Sequence, residues 1–136
     1  MMIAVHLRIA GVLLIVLGLM HLGFPRRFAW KEELARLSLL NRRIFQVHTF
    51  FVVLVVEMMG VGSVFYAADL VKPGPLSRMV LGGALIFWTF RLMAQFFVYD
   101  VELWRGNRVY TAVHIVFSVL WMYLVAVYGW ALRCVV

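Results

Sequence analysis

The sequence predicts an all-α integral membrane protein, a four-helix bundle of up-down topology. Hydrophobic residues make up 65% of its 136 residues and charged residues only 14%, against roughly 45–50% and about 25% in soluble domains. A domain of this size has too little interior to hide that excess from water. The apolar residues also fall into four long runs. Lipid is therefore predicted to be the solvent for most of the surface.

Each of the four runs is long enough to cross the membrane, which takes about 20 apolar residues for roughly 30 Å of hydrocarbon. We predict spans at about 3–24, 44–68, 76–99 and 109–132, within one transmembrane domain over residues 1–136. Pro25 ends the first run, residues 72–75 form a turn after the second, and residues 105–108 separate the third from the fourth. Only helices or closed barrels satisfy their backbone in lipid, and no run alternates with period two, so helices are predicted.

The distribution of charge predicts the orientation in the membrane. The formal net charge is +7, and six of the thirteen Lys and Arg residues lie in the single connection 25–43. Cytoplasmic loops carry such an excess, and the charges lie beside anionic lipid headgroups there. We therefore expect the 25–43 and 100–108 loops inside and the 69–75 turn and both termini outside, in a bacterial-type cytoplasmic (inner) membrane. The same distribution argues against nucleic acid as a partner.

The 25–43 connection also shows helical periodicity. Trp30, Leu34 and Leu37 recur at helical spacing, and Glu32 and Arg36 are placed to pair at i, i+4. We predict a short amphipathic helix lying in the inner interface between the first two spans. It either rests on lipid or forms a docking surface for another membrane subunit or a second copy of the chain.

Three histidines lie at one depth near the inner ends of three different spans. At 1.5 Å per residue, His21, His48 and His114 lie about 5, 6 and 7 Å inside their helix ends, and Gln95 of the remaining helix lies about 6 Å inside. Polar groups at depth are costly, so each needs a partner or a task. The pattern predicts a polar layer enclosed by the bundle, unless each histidine simply satisfies a neighbouring carbonyl, hydroxyl or headgroup.

Imidazole is the commonest protein metal ligand, and paired histidines hold haem in membrane cytochromes. In placing histidines on facing helices the sequence resembles small membrane cytochromes. The leading hypothesis is therefore a redox protein whose His21, His48 and His114 bind haem b or zinc, copper or iron. Gln95 and Tyr99 in the third span and Asp100 just after it are candidates to support these ligands or to contact a substrate. Asp100 is the nearest candidate carboxylate ligand or hydrogen-bond partner of His114.

A second feature is a pair of opposite charges inside the spans. Glu57 lies near the middle of the second span and Arg91 in the third. Side chains lean toward their helix N-terminus, which brings these two toward each other across antiparallel helices. We predict a buried Glu57–Arg91 ion pair, with Trp88 or Trp121 against the guanidinium.

Several functions have no sequence signature here. There is no HExxH, nucleophile elbow or nucleotide-binding loop, so no catalytic residue is assigned. The single cysteine, Cys134, rules out a disulfide within the chain. Besides the redox hypothesis, the sequence leaves open an accessory subunit of a larger membrane complex, a lipid-active enzyme, and a transporter of a small solute or protons.

Overall fold

The computed structural model describes residues 2–23, 25, 29–100, 102 and 106–136, and this part of the chain is helical between short turns. Its helices are α1 (Met2–Met20), α2 (Trp30–Ala35), α3 (Leu39–Phe65), α4 (Ala67–Leu70), α5 (Pro75–Phe97) and α6 (Arg108–Val135). The prediction of an all-helical chain is confirmed for these residues.

Four of these helices, α1, α3, α5 and α6, are long and apolar enough to cross a membrane. They contain 19, 27, 23 and 28 residues. Large apolar side chains are exposed on all four, such as Val12 on α1, Phe50 on α3, Ile86 on α5 and Val116 on α6. Exposed apolar side chains in that number need lipid around them. The four predicted spans are thus confirmed as helices of membrane-spanning length and composition.

Local capping contacts set two boundaries that differ from the prediction. Helix α3 begins at Leu39 because Ser38 caps it: the Asn41 N–H donates to Ser38 Oγ and the Arg42 N–H to Ser38 O. At its other end α3 stops at Phe65, and the predicted second span continues as the separate short helix α4. Tyr66, which has a non-helical backbone conformation, lies between them.

The predicted amphipathic helix between the first two spans is present as α2, with only six residues. It ends early because Arg42 holds its C-terminal carbonyls. The guanidinium donates from Nε to Leu34 O at 3.0 Å, and from Nη2 to Ala35 O at 3.2 Å and Leu37 O at 3.4 Å. Trp30 packs its ring edge-on against Phe45 of α3, with centroids 5.0 Å apart.

The chain divides into two compact units, Met1–Leu7 with Tyr66–Val136, and Arg8–Phe65. In the first unit α5 and α6 form an antiparallel hairpin. Arg78, near the start of α5, donates to the carbonyl of Val135 at the end of α6, at 3.0 Å. The other end of the hairpin joins Gln95 to His114. We call Met1–Leu7 with Tyr66–Val136 the first unit and Arg8–Phe65 the second unit.

In the second unit, α1 and α3 pack antiparallel through glycines. Gly11 of α1 lies against Gly60 and Val64 of α3, and two turns later Gly18 lies against Glu57. Small residues allow membrane helices this close approach. The assembly of all four spans into one up-down bundle, and its orientation in the membrane, stay predictions.

Candidate functional site

A hydrogen-bonded group of polar side chains lies inside the first unit, near the end of the hairpin where α5 leads into α6. Gln95 is its centre and is only 5% exposed. Gln95 Oε1 accepts hydrogen bonds from Arg91 Nη1 at 3.3 Å and from Trp121 Nε1 at 3.2 Å. Gln95 Nε2 lies 2.7 Å from His114 Nδ1. With Tyr99, whose ring also contacts the guanidinium, these side chains form what we call the Arg91 cluster: Arg91, Gln95, Tyr99, His114 and Trp121.

The network determines the orientation of the Gln95 amide. Two N–H donors meet at Oε1, so this end of the amide must be the oxygen, and the opposite end must be the NH₂ group. Because that group donates to His114 Nδ1, the Nδ1 atom is an acceptor and carries no hydrogen. A neutral imidazole has one N–H, and in His114 it is therefore on Nε2.

Two aromatic rings lie against the guanidinium of Arg91. Its guanidinium carbon lies 4.7 Å from the centroid of the Trp121 ring and 5.6 Å from that of Tyr99. Such contacts stabilise a cation, as predicted for Trp121. Within the described residues of the first unit, no carboxylate lies within ion-pair distance of the guanidinium. The Arg91 cluster thus contains a fixed positive charge without a matching negative one.

Stacked rings fix the plane of Trp121. The Trp88 ring lies parallel to it with centroids 5.3 Å apart, and the Phe117 ring of α6 lies 5.5 Å away at 19°. Trp88 is fully buried, and its Nε1 has no hydrogen-bond partner among the described residues. The indole that supports the guanidinium therefore has little freedom to move.

The Arg91 side chain extends toward the near end of its helix. Its guanidinium contacts Gln95 and Tyr99, four and eight residues later in the chain. This differs from the expected lean toward the helix N-terminus, because a long side chain can turn toward the rings and the amide oxygen that stabilise it. Arg91 lies six residues before the end of α5 at Phe97, about 9 Å along the axis.

The structure places the three predicted histidine ligands in different settings. His114 belongs to the Arg91 cluster in the first unit. In the second unit, His21 Nδ1 lies 2.7 Å from the carbonyl oxygen of Leu17, and His48 is exposed on α3. Among the described residues, no group of three or more His, Cys, Asp and Glu side chains is arranged to hold a metal ion.

The donor chemistry of two histidines bears on the haem or metal hypothesis in opposite ways. His21 Nδ1 lies 2.7 Å from the carbonyl oxygen of Leu17, and a backbone carbonyl is a common hydrogen-bond partner of a metal-ligating histidine. His114 does not fit, because its Nε2 carries the hydrogen while Nδ1 is occupied by Gln95. The haem or metal site of His21, His48 and His114 stays a prediction.

Two further predicted site residues, Glu57 and Asp100, lie outside the Arg91 cluster. Glu57 is half-buried on α3 with Oε1 against Gly18, and this oxygen has no hydrogen-bond partner among the described residues. Because Glu57 and Arg91 belong to different units, their ion pair stays a prediction. Asp100 is exposed after α5, and Gln95 provides the contact to His114 Nδ1 that was assigned to Asp100.

One polar contact of the first unit was not predicted. His6 Nδ1 lies 3.1 Å from the hydroxyl oxygen of Tyr123, and the His6 ring is 5.8 Å from that of Trp130. The sequence analysis gave no reason to join two residues 117 positions apart. Tyr123 is twelve residues before the end of α6, or about 18 Å along its axis, so this contact lies well inside the span.

No protein-family model, no curated protein and no solved structure matches this chain. The function is therefore argued from the geometry of the Arg91 cluster.

Proposed function

We propose that the protein binds the acidic headgroup of a lipid or similar amphiphile, a phosphate or a carboxylate, at the Arg91 cluster. The observation that carries the proposal is that no carboxylate among the described residues of the first unit pairs with the Arg91 guanidinium. A cation inside a membrane span is costly and ordinarily has a counter-charge, and the described residues of the first unit supply none to Arg91. An anionic ligand would provide that charge.

The donors and the fixed position of the Arg91 guanidinium suit such a ligand. Its Nη1 is bonded to Gln95, whereas Nε and Nη2 have no acceptor among the described residues of the first unit. These two nitrogens form the planar fork that binds two oxygens of a carboxylate or phosphate side by side. Because Trp121 and Gln95 already fix the group, little side-chain entropy is lost on binding.

The depth of Arg91 favours an amphiphile over a free ion. The backbone of Arg91 is about 9 Å from the helix end, and its side chain extends toward that end, where the phosphate of a lipid could reach the guanidinium while the acyl chains remain in hydrocarbon. The exposed apolar side chains of α5 near this end, Phe90, Met93 and Phe97, would contact those chains. With the orientation predicted from the 25–43 loop, the ligand belongs to the inner leaflet.

The test is a titration of the purified protein in maltoside micelles with dioctanoyl phosphatidylglycerol. Trp88 and Trp121 adjoin the site, so tryptophan fluorescence reports binding. We expect a saturable change that Arg91→Gln weakens about tenfold or more, as expected for loss of hydrogen bonds to a charged group. Arg108→Gln is the matched control, since it removes an exposed positive charge from the adjoining end of α6 and should leave the affinity unchanged.

Two further titrations identify the ligand. Dioctanoyl phosphatidylcholine should bind more weakly than phosphatidylglycerol, because its choline compensates the phosphate charge. Inorganic phosphate should bind weakly, and if it binds as tightly as phosphatidylglycerol, the ligand is a free anion and not a lipid. Equal effects of Arg91→Gln and Arg108→Gln would contradict a specific site.

The haem or metal redox function is the second candidate, favoured by the hydrogen bond of His21. When bound, such a group would supply electron transfer or a Lewis acid. The test is the absorption spectrum and metal content of the purified protein. A folded, colourless and metal-free sample, together with unaltered spectra in His21→Ala, would reject this candidate.

A further inference from the structure

A second group of polar and aromatic side chains lies in the first unit, apart from the Arg91 cluster. His6 Nδ1 of α1 and the hydroxyl oxygen of Tyr123 on α6 are 3.1 Å apart, which is hydrogen-bond distance. The imidazole also contacts the Trp130 ring, with centroids 5.8 Å apart and planes tilted by 47°. We call His6, Tyr123 and Trp130 the His6 group. Tyr123 is nine residues further along α6 than His114, about 14 Å, so the two groups are separate.

The contact between His6 and Tyr123 uses only one of the hydrogens that the two side chains can donate. A neutral imidazole carries one N–H and a phenol carries one O–H. If the tyrosine donates, the remaining hydrogen is on His6 Nε2, and if the histidine donates, it is on the Tyr123 oxygen. Neither side chain makes another hydrogen bond to the described residues. In both arrangements, therefore, one donor of the pair has no acceptor among them.

The depth of the pair determines what kind of acceptor can reach it. Tyr123 lies about 18 Å from the end of α6, a helix of 28 residues. The headgroup layer on each side of the hydrocarbon is only about 5–8 Å thick. When α6 crosses the bilayer, the hydroxyl therefore lies below the ester carbonyls of phospholipids. Polar groups at such depth need a partner or a task, and an acceptor found there is one that dissolves in hydrocarbon.

The His6 group is partly open at the surface of the chain. His6 and Tyr123 are half-buried, and Trp130 is 43% exposed. Residues four positions apart share a helix face, and the residues four positions before His6 and Tyr123 are Met2 and Val119, both apolar and exposed. A ligand can thus place a polar atom against the pair and its apolar parts against these side chains, while the indole offers a flat face to a ring.

We propose that the His6 group binds a lipid-soluble planar ring that carries carbonyl oxygens, a molecule of the quinone class. One carbonyl oxygen accepts the remaining hydrogen of the His6–Tyr123 pair, and the ring packs against the Trp130 indole. A quinone suits the site because its carbonyls are acceptors and its ring and tail dissolve in hydrocarbon, whereas a phospholipid holds its ester carbonyls near the headgroups. The inference goes beyond the proposed function and does not rest on it, because the Arg91 cluster takes no part.

The test is the binding of decylubiquinone to the purified protein in maltoside micelles, followed by quenching of tryptophan fluorescence. We expect saturable quenching, and an affinity that falls about tenfold or more in the double variant His6→Phe/Tyr123→Phe. This variant keeps both rings and removes their hydrogen-bonding atoms. Tyr110→Phe is the matched control, since it removes an exposed hydroxyl elsewhere on α6 and should leave the affinity unchanged. Equal affinities of the wild type and the double variant would overturn the proposal.

Infrared spectroscopy tests the hydrogen bond itself and does not depend on the folding of the double variant. The carbonyl band of decylubiquinone labelled with ¹³C should move to lower frequency on binding, because a donor weakens the C=O bond. Trp130→Leu changes only an exposed side chain. It should weaken binding through loss of ring packing and keep the shifted band, since the donor remains. A bound quinone with the carbonyl band of the free molecule would overturn the proposal.

Competition with dioleoylglycerol distinguishes the ring of a quinone from the ester of a lipid. Dioleoylglycerol dissolves in hydrocarbon and has carbonyl oxygens but no ring, so it should displace decylubiquinone only weakly. Menadione, a second quinone, should displace it readily. Displacement by dioleoylglycerol at the same concentration as by menadione would overturn the assignment to a quinone and make the ligand an acyl ester.

Discussion

At Gly11 the absence of a side chain determines how closely α1 and α3 approach. A Cβ atom at this position would lie 2.6 Å from the carbonyl oxygen of Gly60 and 2.9 Å from the backbone nitrogen of Val64. Backbone atoms inside a helix cannot move aside without breaking hydrogen bonds. Gly62, on the same helix as Gly60, has nothing within 4 Å of such an atom.

We therefore predict that Gly11→Ala destabilises the protein by about 1–3 kcal/mol, the usual cost of overpacking. Gly62→Ala is the matched control, and it should be neutral or slightly stabilising because alanine is the better helix former. Thermal unfolding in detergent micelles, followed by circular dichroism, measures both. Equal midpoints for the two variants would show that α1 and α3 are not in contact at Gly11.

The contact of Gly18 with Glu57 is different, because a flexible carboxylate and not backbone occupies the space. A methyl group at Gly18 would overlap Oε1 of Glu57, so Gly18→Ala should destabilise the wild type and cost less in the Glu57→Ala background. The two substitutions form a double-mutant cycle, with an expected coupling of about 0.5–3 kcal/mol. Unfolding midpoints of the four proteins provide the measurement, and strict additivity would contradict the packing.

At the scale of the elements, α2 depends on a residue outside itself. Arg42 belongs to α3, yet its guanidinium donates to the carbonyls of Leu34 and Ala35 at the end of α2 and to that of Leu37 just beyond it. A six-residue helix is too short to be stable alone in water. Arg43, its neighbour, contacts only the side chain of Gln46 among the described residues, at 3.2 Å.

We predict that Arg42→Ala unfolds α2 and that Arg43→Ala, which removes the same charge, does not. Hydrogen exchange of a peptide covering residues 29–37, followed by mass spectrometry, should be faster in Arg42→Ala by about tenfold or more, as expected when several hydrogen bonds are lost. The spans should be unaffected in both variants. Exchange that accelerates equally in the two would show that charge, and not capping, maintains the helix.

The sequence was sufficient to predict that these helices exist but not where they begin and end. Continuous runs of about 20 apolar residues without period-two alternation cross lipid as helices, so the four spans followed from the length and pattern of these runs. The start of α3 and the end of α2 depend instead on Ser38 and Arg42, whose contacts reach across a turn. The hydrophobic periodicity of a sequence does not reveal such contacts.

The Arg91 cluster was also predictable only in part: the sequence indicated the level of its residues but not their hydrogen-bond partners. Helical depth placed Gln95 and His114 at one level, and cation–π chemistry suggested Trp121 for Arg91. The partner of each atom was not predictable, because Gln95 meets His114 and Trp121 across 19 and 26 positions of the chain. Arg91 further has several rotatable bonds, and the direction of its Cα–Cβ bond does not determine where the guanidinium lies.

At the scale of the whole molecule, a single cysteine can be used to test the orientation of the chain in the membrane. Cys134 is the single cysteine of the sequence and is exposed at the end of α6. The positive charges of the 25–43 loop predict that this end lies outside. A membrane-impermeant maleimide should therefore label Cys134 in intact cells without permeabilisation, and Cys134→Ser should abolish the labelling. Labelling that requires permeabilised cells would reverse the predicted orientation.

The length of α6 links the protein to the thickness of its membrane. With 28 residues the helix is about 42 Å long, close to a bilayer including its headgroups and well beyond the roughly 30 Å of hydrocarbon. Arg108 and Arg133, near its two ends, are about 38 Å apart, a separation close to that between the phosphate layers of a bilayer. A thinner bilayer would force α6 to tilt and move the Arg91 cluster with it, so acyl-chain length should affect the headgroup binding proposed for this cluster.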